Sequence, residues 1–587
     1  DRVNSEGRIE MAATNNWVAP VQRPIGYERR WWILGILCLS LFLVMMDNTI
    51  LNVALPTLVR RLHATNTQLQ WVTDAYVLVF AGLLLTAGSL SDRFGRRLAL
   101  GFGLVVFGAG SLASAYSGSP DVLIATRAVM GLGAAFIMPA TLSILTNVFP
   151  RQELSRAIGL WAGVSGLGIA LGPVLGGLLL DHFWWGSIFL VNLPIVIVAV
   201  IAGRLLIPES KDPAAPPIDV AGFVLSIAGL GSLIYAIIQA PSSGWTDPLI
   251  LTMFAAAAVL LAVFVWWELR IDHPMLNIHI FQNRGFTGAA VSVSLVYFAM
   301  LGAIFLLTQY LQFIHGYTPL EAGLRTAPFA LVMMVFSPIA GQVQPRLGSR
   351  VLVTAGMVVA GTGLYLMSRM TPGTTYPEIL GAVGVLGLGM ALAMSPATAT
   401  VMSSVPLENA GVGSAVNDTT REVGGALGIA IMGSVFASAY ASGVAVIAAR
   451  APAPLGTAVK ASVGSALGAA ARVGGTAGHQ IATTATNSFI DAMSRALIVG
   501  MGVAFAGAVV AVVLLPNRAA SAGWQGASNE DAAQQGTWND GAASQGGWSQ
   551  GAAGQGGWSQ SAGSEVLGSQ GTNQAEEVGG KEEVDAA

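Results

Sequence analysis

The sequence predicts an all-α integral membrane protein with fourteen transmembrane helices, arranged as two six-helix halves with two inserted central helices. Two observations predict this fold. Hydrophobic residues make up 53% of the 587 residues and charged residues only 10%, a composition that cannot cover a water-soluble surface. In addition, a charged ten-residue turn between two apolar runs, GSLSDRFGRR at 88–97, returns in weaker form as GQVQPRLGSR at 341–350.

A membrane span needs about 20 mostly apolar residues. Fourteen runs qualify, and they are 31–54, 71–90, 98–118, 121–146, 157–180, 186–207, 219–240, 249–267, 287–308, 322–343, 351–369, 378–402, 411–437 and 493–515. The repeated turn aligns the first six runs with the last six. Gly168-Ile-Ala-Leu and Gly428-Ile-Ala-Ile, in the fifth and thirteenth runs, give the same alignment. The two central runs have no counterpart and are predicted to be an insertion.

Arginine placement predicts the orientation of the chain. Arginines concentrate in the N-terminal segment and in alternate loops, and short cytoplasmic loops retain positive charge, so both termini are expected in the cytoplasm. Arg60 and Arg61 run against this rule, as does the long loop 440–488, although long segments cross largely regardless of charge. Met11 is the expected natural start. The first apolar run is long enough to remain as a span after it.

These observations predict five regions. They are a cytoplasmic N-terminal segment (1–30), a first half (31–207), two additional helices (208–270), a second half with a partly helical extracellular loop at 440–488 (271–516), and a tail (517–587). The tail is rich in Gly, Ser, Gln and Ala, with tryptophans recurring in a Gly-Gly-Trp-Ser-Gln-like unit, which predicts a disordered cytoplasmic segment. The alternative is a docking segment that uses the tryptophans as contact points.

The sequence also restricts the chemistry. Cys38 is the only cysteine and lies within the first span, which excludes disulfide, zinc and iron–sulfur sites. No phosphate-binding Gly-x-x-x-x-Gly-Lys-Ser/Thr loop is present, so ATP is not the energy source, and no cofactor, metal or nucleic acid is expected. Two six-span repeats with a substrate path between them are typical of a transporter, which must then use an ion gradient.

Three ionisable residues of the first half fall at similar depth in the membrane. Asp47 lies in the outer part of the first span, Asp74 near the outer end of the second, and Arg127 in the outer third of the fourth. A charge at the bilayer centre costs at least ~2.5–3.5 kcal/mol, so it is retained for a reason. A buried pair of Arg127 with a carboxylate is geometrically possible. A carboxylate released from such a pair binds a proton more readily, because desolvation disfavours its charged form.

A second cluster lies in the inner part of the thirteenth span. Asp418 and Glu422 are four residues apart and share a helix face, while Arg421 is close enough to neutralise Asp418. Two acids on one face suit an organic cation or a second proton. For every acid in both clusters, the alternative is a charge at a helix end or a fixed structural pair.

Glycines in the fifth span indicate close helix packing. Small residues recur at four-residue spacing, which lets another helix approach closely, and Pro173 is expected to kink the span. The residues are Gly159, Gly163, Gly168, Gly172, Gly176 and Gly177. Ordinary small-residue packing explains this pattern equally well.

Four ordered motifs resemble those of a known family. They are Asp47-Asn-Thr-Ile-Leu-Asn-Val-Ala-Leu-Pro56, the turn at 88–97, Arg127-Ala-Val-Met-Gly131-Leu-Gly133, and Gly168-x-x-x-Gly172-Pro173-x-x-Gly176-Gly177. Together they resemble the 14-span drug/proton antiporters of the major facilitator superfamily, the EmrB/QacA type, over about 31–516. The fold implied is the major facilitator fold.

The resemblance implies roles for these residues. Asp47 and Arg127 would couple to protons, Gly172-Pro173 would mark antiport rather than symport, and Asp74, Asp418 and Glu422 fall where relatives carry substrate- or proton-linked acids. A cytoplasmic latch between helices is implied for Gly88, Asp92, Arg93, Gly95, Arg96 and Arg97.

Two departures from the family pattern stand out. Relatives commonly have a Trp-Arg-Trp pattern where this chain has His-Phe-Trp-Trp-Gly, at 182–186, so the arginine is missing. The tenth span has no acidic residue after Glu321. The second departure favours monocationic, zwitterionic or neutral lipophilic substrates.

The sequence therefore predicts a proton-coupled multidrug exporter that works by alternating access, as a monomer, in a bacterial inner membrane. Its partners would be a small drug-like substrate, protons and the lipid bilayer. Three alternatives remain: a dedicated exporter of one metabolite, antibiotic or lipid; an importer or symporter; and a multi-span enzyme or scaffold acting through the Trp-repeat tail.

Overall fold

The computed structural model describes residues 26–62, 66–211 and 218–516. Most of the predicted N-terminal segment and the whole of the predicted tail lie outside these residues. Within the described part of the chain, every regular element is helical, and fourteen helical segments are long and apolar enough to cross a membrane. The predicted all-α fold with fourteen spans is confirmed.

The described helices run as follows. The first nine are α1 (Arg30–Leu62), α2 (Asn66–Phe94), α3 (Arg96–Ala115), α4 (Pro120–Val148), α5 (Arg151–His182), α6 (Ser187–Leu190), α7 (Asn192–Leu206), α8 (Val220–Ser243) and α9 (Pro248–Glu268). The others are α10 (Arg284–Gln309), α11 (Pro319–Leu347), α12 (Ser349–Ser368), α13 (Tyr376–Ser403), α14 (Ala410–Arg450), α15 (Ala453–Ala461), α16 (Val463–Val473) and α17 (Gly475–Leu514). The short α6 and α7 together form the sixth span.

The helix ends follow from local sequence. The side chains of Asp247 and Asn283 accept hydrogen bonds from backbone N–H groups at the starts of α9 and α10, and Thr318 and Thr375 form capping boxes at α11 and α13. Such caps satisfy donors that a helix leaves unpaired in its first turn.

Helices α1 to α7 pack on one another, as do α10 to α14 with α17. The two groups meet where α5 packs on α11 and α13, and where α14 packs on α2 and α4. In the inserted pair, α8 packs on both α2 and α14, whereas α9 packs mainly on α8. The insertion therefore contacts both halves mainly through α8.

The predicted loop 440–488 is almost entirely helical. Helix α14 continues to Arg450, α15 and α16 follow, and α17 already begins at Gly475. The alanine-rich sequence favours helix despite its glycines. Tertiary contacts hold the segment, since the hydroxyl of Tyr440 donates to the carbonyl of Val459 at 3.2 Å. Hydropathy detects only the membrane-embedded parts of α14 and α17, which explains the shorter predicted spans.

We call the end of the bundle at which α1 begins, with Arg30, the near face. The opposite end, at which α1 finishes with Leu62, is the far face. Because successive spans alternate in direction, the near face also carries the α2–α3 turn, the α4–α5 turn and the start of α14. The far face carries the starts of α4, α11 and α13.

Candidate functional site

A buried ion pair joins α1 and α4 inside the first half. Nη1 of Arg127 donates to Oδ2 of Asp47 at 2.5 Å, and both side chains are fully buried. Nε of Arg127 donates to the carbonyl of Val72 on α2 at 3.3 Å. Leaving one partner of such a pair alone in a low-dielectric interior costs about 3–5 kcal/mol. The pair predicted as geometrically possible is present in the structure.

The other carboxylate oxygen of Asp47 is held by Asn192, for which the sequence predicted no role. Nδ2 of Asn192 donates to Oδ1 of Asp47 at 2.9 Å and lies 3.0 Å from the Ser111 hydroxyl. Ser111 in turn donates to the carbonyl of Phe189 at 2.8 Å. Asn192 begins α7, so the break between α6 and α7 brings this amide to the pair.

Spare hydrogen-bonding capacity surrounds the pair. The guanidinium of Arg127 lies over the Tyr76 ring, 4.3 Å from its centre. Three buried polar atoms at this site have no hydrogen-bond partner among the described residues: Tyr76 Oη, Arg127 Nη2 and Asn192 Oδ1. Buried polar atoms are normally satisfied, and exceptions need an explanation such as a functional role. These three atoms can therefore bind a water molecule without first breaking existing bonds.

Asp74 lies apart from this pair. It is half-buried on α2, and its Oδ2 accepts from Nε2 of Gln239 on α8 at 3.4 Å. Thr86 and Ser226 extend the same α2–α8 contact with hydroxyls 3.5 Å apart. The structure thus places Asp74 against the insertion, and among the described residues no ion pair links it to Arg127.

The second predicted cluster also contains a buried ion pair. Nη1 of Arg421 donates to Oδ1 of Asp418 at 3.2 Å, and Asn417 donates to the same oxygen at 3.3 Å. The other oxygen of Asp418 has no partner among the described residues. Glu422 is half-buried on the next turn.

Two aromatic rings enclose Arg421. Its guanidinium lies 4.7 Å from the centre of the Tyr297 ring on α10 and 5.1 Å from that of Trp161 on α5. The Trp161 indole is fully buried and donates to the Thr141 hydroxyl at 3.2 Å. Since α5 belongs to the first half and α14 to the second, this cation–π contact crosses between the halves.

The two ion pairs lie at different depths. Arg127 is about two helical turns from the far face along α4, and Asp418 is about two turns from the near face along α14. Each pair has a tyrosine against its arginine. The halves therefore carry similar pairs at opposite ends of the pathway between them.

At the near face, the α2–α3 turn contacts the start of α14. Asp92 accepts from the backbone N–H groups of Gly411 at 2.8 Å and Val412 at 3.0 Å, and from Nε of Arg96 at 2.8 Å. Nη2 of Arg96 donates to the carbonyls of Leu407 at 2.6 Å and Glu408 at 2.8 Å. A carboxylate at a helix N-terminus is favoured by the unpaired N–H groups and the helix dipole. These contacts hold the two halves together at the near face.

Two glycines make the contact possible. A Cβ atom at Gly88 would lie 2.6 Å from the carbonyl oxygen of Gly411 and 2.6 Å from the Ala415 Cβ, closer than real side chains allow. Gly95 has φ +119°, and a Cβ there would lie 2.6 Å from Oε1 of Glu209. Arg97 completes this corner through its backbone N–H, which donates to Glu209 at 3.0 Å. Arg93 lies over the Phe94 ring.

The repeated turn makes a different contact. Gly341 packs against the backbone of Ser155 at the start of α5, as Gly88 packs against the start of α14. Pro345 stands where the first turn has Asp92. Instead, Gln344 donates to the Ser349 hydroxyl at 2.8 Å. The Gln344 side chain therefore bonds within its own half, whereas Asp92 bonds across the halves.

The predicted glycines of α5 face two helices. A Cβ atom at Gly168 would meet Met45 at 2.7 Å, and Gly172 and Gly176 also face α1. Gly177 faces Leu320 on α11, and Pro173 approaches Gly323 on the same helix. Helix α5 continues through Pro173. The glycine motif thus packs α5 simultaneously on its own half and on the other.

A cavity of about 220 Å³ lies between the halves, in the part of the bundle towards the far face. It is bordered by α1 and α5 of the first half and by α10 to α13 of the second. Its lining is mostly apolar, with polar groups from Thr49, Thr308, Gln312 and Thr326. None of the described lining residues is ionisable. Neither predicted acid cluster borders this cavity.

Several residues of these sites were not predicted from the sequence. Asn192, Tyr76, Trp161 and Tyr297 contact the ion pairs, and Gln312 lines the cavity. Neutral amides inside apolar runs are the signal that points to Asn192 and Gln312, because such groups need a partner in the membrane. The aromatic residues carry no comparable signal.

Comparison with known proteins adds three findings. Residues 37–429 match the family profile described as Major Facilitator Superfamily. The multidrug resistance protein Stp of Mycobacterium tuberculosis is 37% identical over 401 residues, which are 68% of this chain and 74% of that protein. The multidrug efflux pump LfrA of Mycolicibacterium smegmatis is 35% identical over 486 residues, 82% of this chain and 96% of that protein.

One solved structure supports the fold at low sequence identity. The human organic anion transporter TETRAN superposes with a TM-score of 0.53 at 14% identity, covering 82% of this chain and 99% of that one. At this identity the likeness concerns the fold alone.

Proposed function

Because the chain belongs to the major facilitator superfamily, we propose that it is a drug efflux transporter that exchanges lipophilic drug-like compounds for protons. Two relatives named for multidrug resistance and multidrug efflux support the export of drugs. They match 68% and 82% of this chain, respectively. Proton exchange rests on the ion pairs of this chain.

The observation that carries the proposal is the Asp47–Arg127 pair. It is fully buried, held on three sides, and surrounded by polar atoms that have no partner in the described part of the chain. In this proposal Asp47 exchanges its contact with Arg127 for a proton, which neutralises the carboxylate and leaves the Arg127 guanidinium in contact with the Val72 carbonyl and the Tyr76 ring. Thr49, two residues along α1, lines the cavity. Protonation and substrate occupancy would then act on the same helix.

The near face is the cytoplasmic face in this proposal, in a bacterial inner membrane. The arginine-rich turns lie there, as short cytoplasmic loops require. The Asp92 contact closes that face, so the structure resembles the step in which the pathway is shut towards the cytoplasm. Opening the contact between the α2–α3 turn and α14 would then admit substrate from the inside.

Proton coupling involves both ion pairs. Asp47 and Arg127 form the pair nearer the outside, and Asp418 and Arg421 form the pair nearer the cytoplasm. Asp74 and Glu422 are accessory acids in this proposal, and both are half-buried, with Asp74 lying beside α8 of the insertion. The transporter acts as a monomer, because the proposed pathway lies between the halves of one chain.

The test is transport in inside-out membrane vesicles from a drug-sensitive bacterial host that expresses the full chain. An imposed pH gradient, acidic inside, should drive uptake of a fluorescent lipophilic dye, and a proton uncoupler should abolish it. Vesicles from cells without the chain are the control. Dye uptake that survives the uncoupler would contradict proton exchange, and equal uptake in the control vesicles would contradict efflux.

A scaffold acting through the tail predicts a different result. Removal of residues 517–587 should leave dye uptake unchanged if the membrane domain is the transporter. Loss of uptake on this truncation, with normal membrane insertion, would favour the scaffold.

A further inference from the structure

The cavity towards the far face is lined by hydrogen-bond acceptors and carries no charge. Its described polar groups are three threonine hydroxyls and one amide, from Thr49, Thr308, Thr326 and Gln312. The remaining lining is apolar and includes Phe329. A ligand that fills this space must therefore be recognised by neutral groups.

The protons of the threonine hydroxyls are already committed. Thr308 donates to the carbonyl of Ile304 at 2.8 Å, and Thr326 donates to that of Gly323 at 2.8 Å. Thr49 lies 3.1 Å from the carbonyl of Met46. Because a carbonyl only accepts, the hydroxyl must be the donor in each bond. What remains for a ligand is the lone pairs of three oxygens.

Gln312 is the exception among the polar lining groups. Its side-chain amide makes no hydrogen bond to any residue that the structure describes, so both its oxygen and its NH₂ group are available. Ile304, Thr308 and Gln312 recur at four-residue spacing along one face. Gln312 lies in the π-helical turn Tyr310–Ile314, a type of turn that is frequent at functional sites.

His315 directly follows the π-helical turn that contains Gln312. The His315 ring lies 3.0 Å from the Tyr310 hydroxyl and stacks on Tyr317. Burial, and then the nearby charge of Arg325, lowers the pKa of His315 from its ordinary value, which favours the neutral imidazole. The Arg325 guanidinium itself lies 3.7 Å from the centre of the Tyr317 ring.

We propose that this cavity binds lipophilic compounds that carry O–H or N–H donors, and that Gln312 is a specificity-determining residue for them. The inference rests on the proposed drug export and names the substrate class of that pathway. Donors on the ligand meet the free lone pairs of the threonines and of Gln312. A compound with the same ring system and charge whose donors are methylated leaves these acceptors unpaired, which a site built for hydrogen bonding penalises.

The experiment uses two fluorescent acridines. Proflavine carries two free amino groups, whereas in acridine orange both amino groups are dimethylated. Binding of each dye to the purified full chain is measured by fluorescence polarisation, and transport is measured separately in inside-out vesicles. Gln312→Leu should weaken proflavine binding roughly three- to tenfold and change acridine orange binding less than twofold. Gln309→Leu is the matched control, because it makes the same change outside the cavity lining.

A second variant protects the test against misfolding. Thr308→Val keeps the shape of the side chain and removes its acceptor, so it should also weaken proflavine binding selectively, and Thr308→Ser should restore it. Equal changes for both dyes in Gln312→Leu, or no change for either, would overturn the inference, as would absence of proflavine binding to the unaltered chain. Selective binding without proton-driven transport would refute the proposed function and leave this inference standing.

Discussion

Trp161 of the first half lies against Arg421 of the second, with the guanidinium 5.1 Å from the centre of the indole ring. Both side chains are buried, and Arg421 also pairs with Asp418. A movement that separates α5 from α14 must therefore change the environment of a buried charge. This contact makes the second ion pair sensitive to the relative position of the halves.

Asp47→Asn should abolish dye uptake driven by a pH gradient. The amide is nearly the same shape as the carboxylate but cannot exchange a proton with the membrane interior, and it leaves the charge of Arg127 uncompensated. Uptake in inside-out vesicles is the measurement. Asp181→Asn, at an exposed position on the far end of α5, is the matched control and should transport normally. Normal gradient-driven uptake by Asp47→Asn would exclude this residue from coupling.

Asn192→Leu should lower the rate of dye uptake driven by a pH gradient. The Asn192 amide donates to Asp47, so the variant removes one of the contacts that hold this carboxylate in place. The variant should also lose about 1–3 kcal/mol of stability, because a buried acceptor is left unpaired. The initial rate of uptake in inside-out vesicles and thermal stability in detergent test both effects. Asn147→Leu, whose amide donates to the Ser143 carbonyl of its own helix, should retain the original rate.

Asp92→Asn should open the near face. Loss of the charge weakens the bonds to the N–H groups of Gly411 and Val412, and charge-assisted bonds contribute about 1.5–3 kcal/mol. The reporter is Ser414→Cys in a Cys38→Ser background, since Ser414 is fully buried at this contact. Labelling by a membrane-impermeant maleimide in inside-out vesicles should rise about tenfold or more when Asp92→Asn is added. Unchanged labelling would show that Asp92 does not hold the contact closed.

Gly88→Ala should act in the same direction without altering any charge. The added methyl group would lie 2.6 Å from the Gly411 carbonyl oxygen, so α2 and α14 must move apart. The Ser414→Cys labelling assay applies again. Gly101→Ala provides the control, because a Cβ there meets nothing within 4 Å. Equal labelling in the two glycine variants would contradict the close approach.

Arg421→Lys should slow transport although the positive charge is kept. An ammonium group does not reproduce the planar stacking of the guanidinium on Trp161 and Tyr297, so we expect a several-fold loss of turnover. The initial rate of dye uptake at saturating dye is the readout. Arg204→Lys, at an exposed position of α7, should retain the original rate. A retained rate in Arg421→Lys would mean that charge alone suffices there.

The fold was predictable because hydropathy and the repeated turn are strong signals. Each span has to be long and apolar, and Gly88 and Gly341 mark corresponding positions in the two halves. Two features were not predictable from the sequence. One is the break between α6 and α7, and the other is the length of α14 and α17, which extend towards residue 460 from both sides. They depend on contacts such as that of Tyr440 with Val459, which join residues that no sequence period relates.

The charged part of the candidate site was predictable for a physical reason. Buried charges in a membrane are costly, so Asp47, Arg127, Asp418 and Arg421 stand out in apolar runs. Asp74 shows the limit of that argument. Its depth in the membrane, similar to that of Arg127, made a pair of the two residues possible, whereas the face of α2 on which it lies places it against Gln239. The neutral lining of the cavity is expressed only in three dimensions, where Thr49 and Gln312 come together from separate helices.

The contact between Asp92 and the start of α14 sets an energy scale for the whole cycle. Each of its charge-assisted bonds contributes about 1.5–3 kcal/mol, and its position at a helix N-terminus adds about 0.3–1 kcal/mol. One elementary charge that crosses a potential of 100 mV releases about 2.3 kcal/mol of electrical work. In the proposed proton-coupled cycle, each charge that crosses the membrane would therefore release work of the same order as one of these bonds, which would link the opening of the near face to the membrane potential.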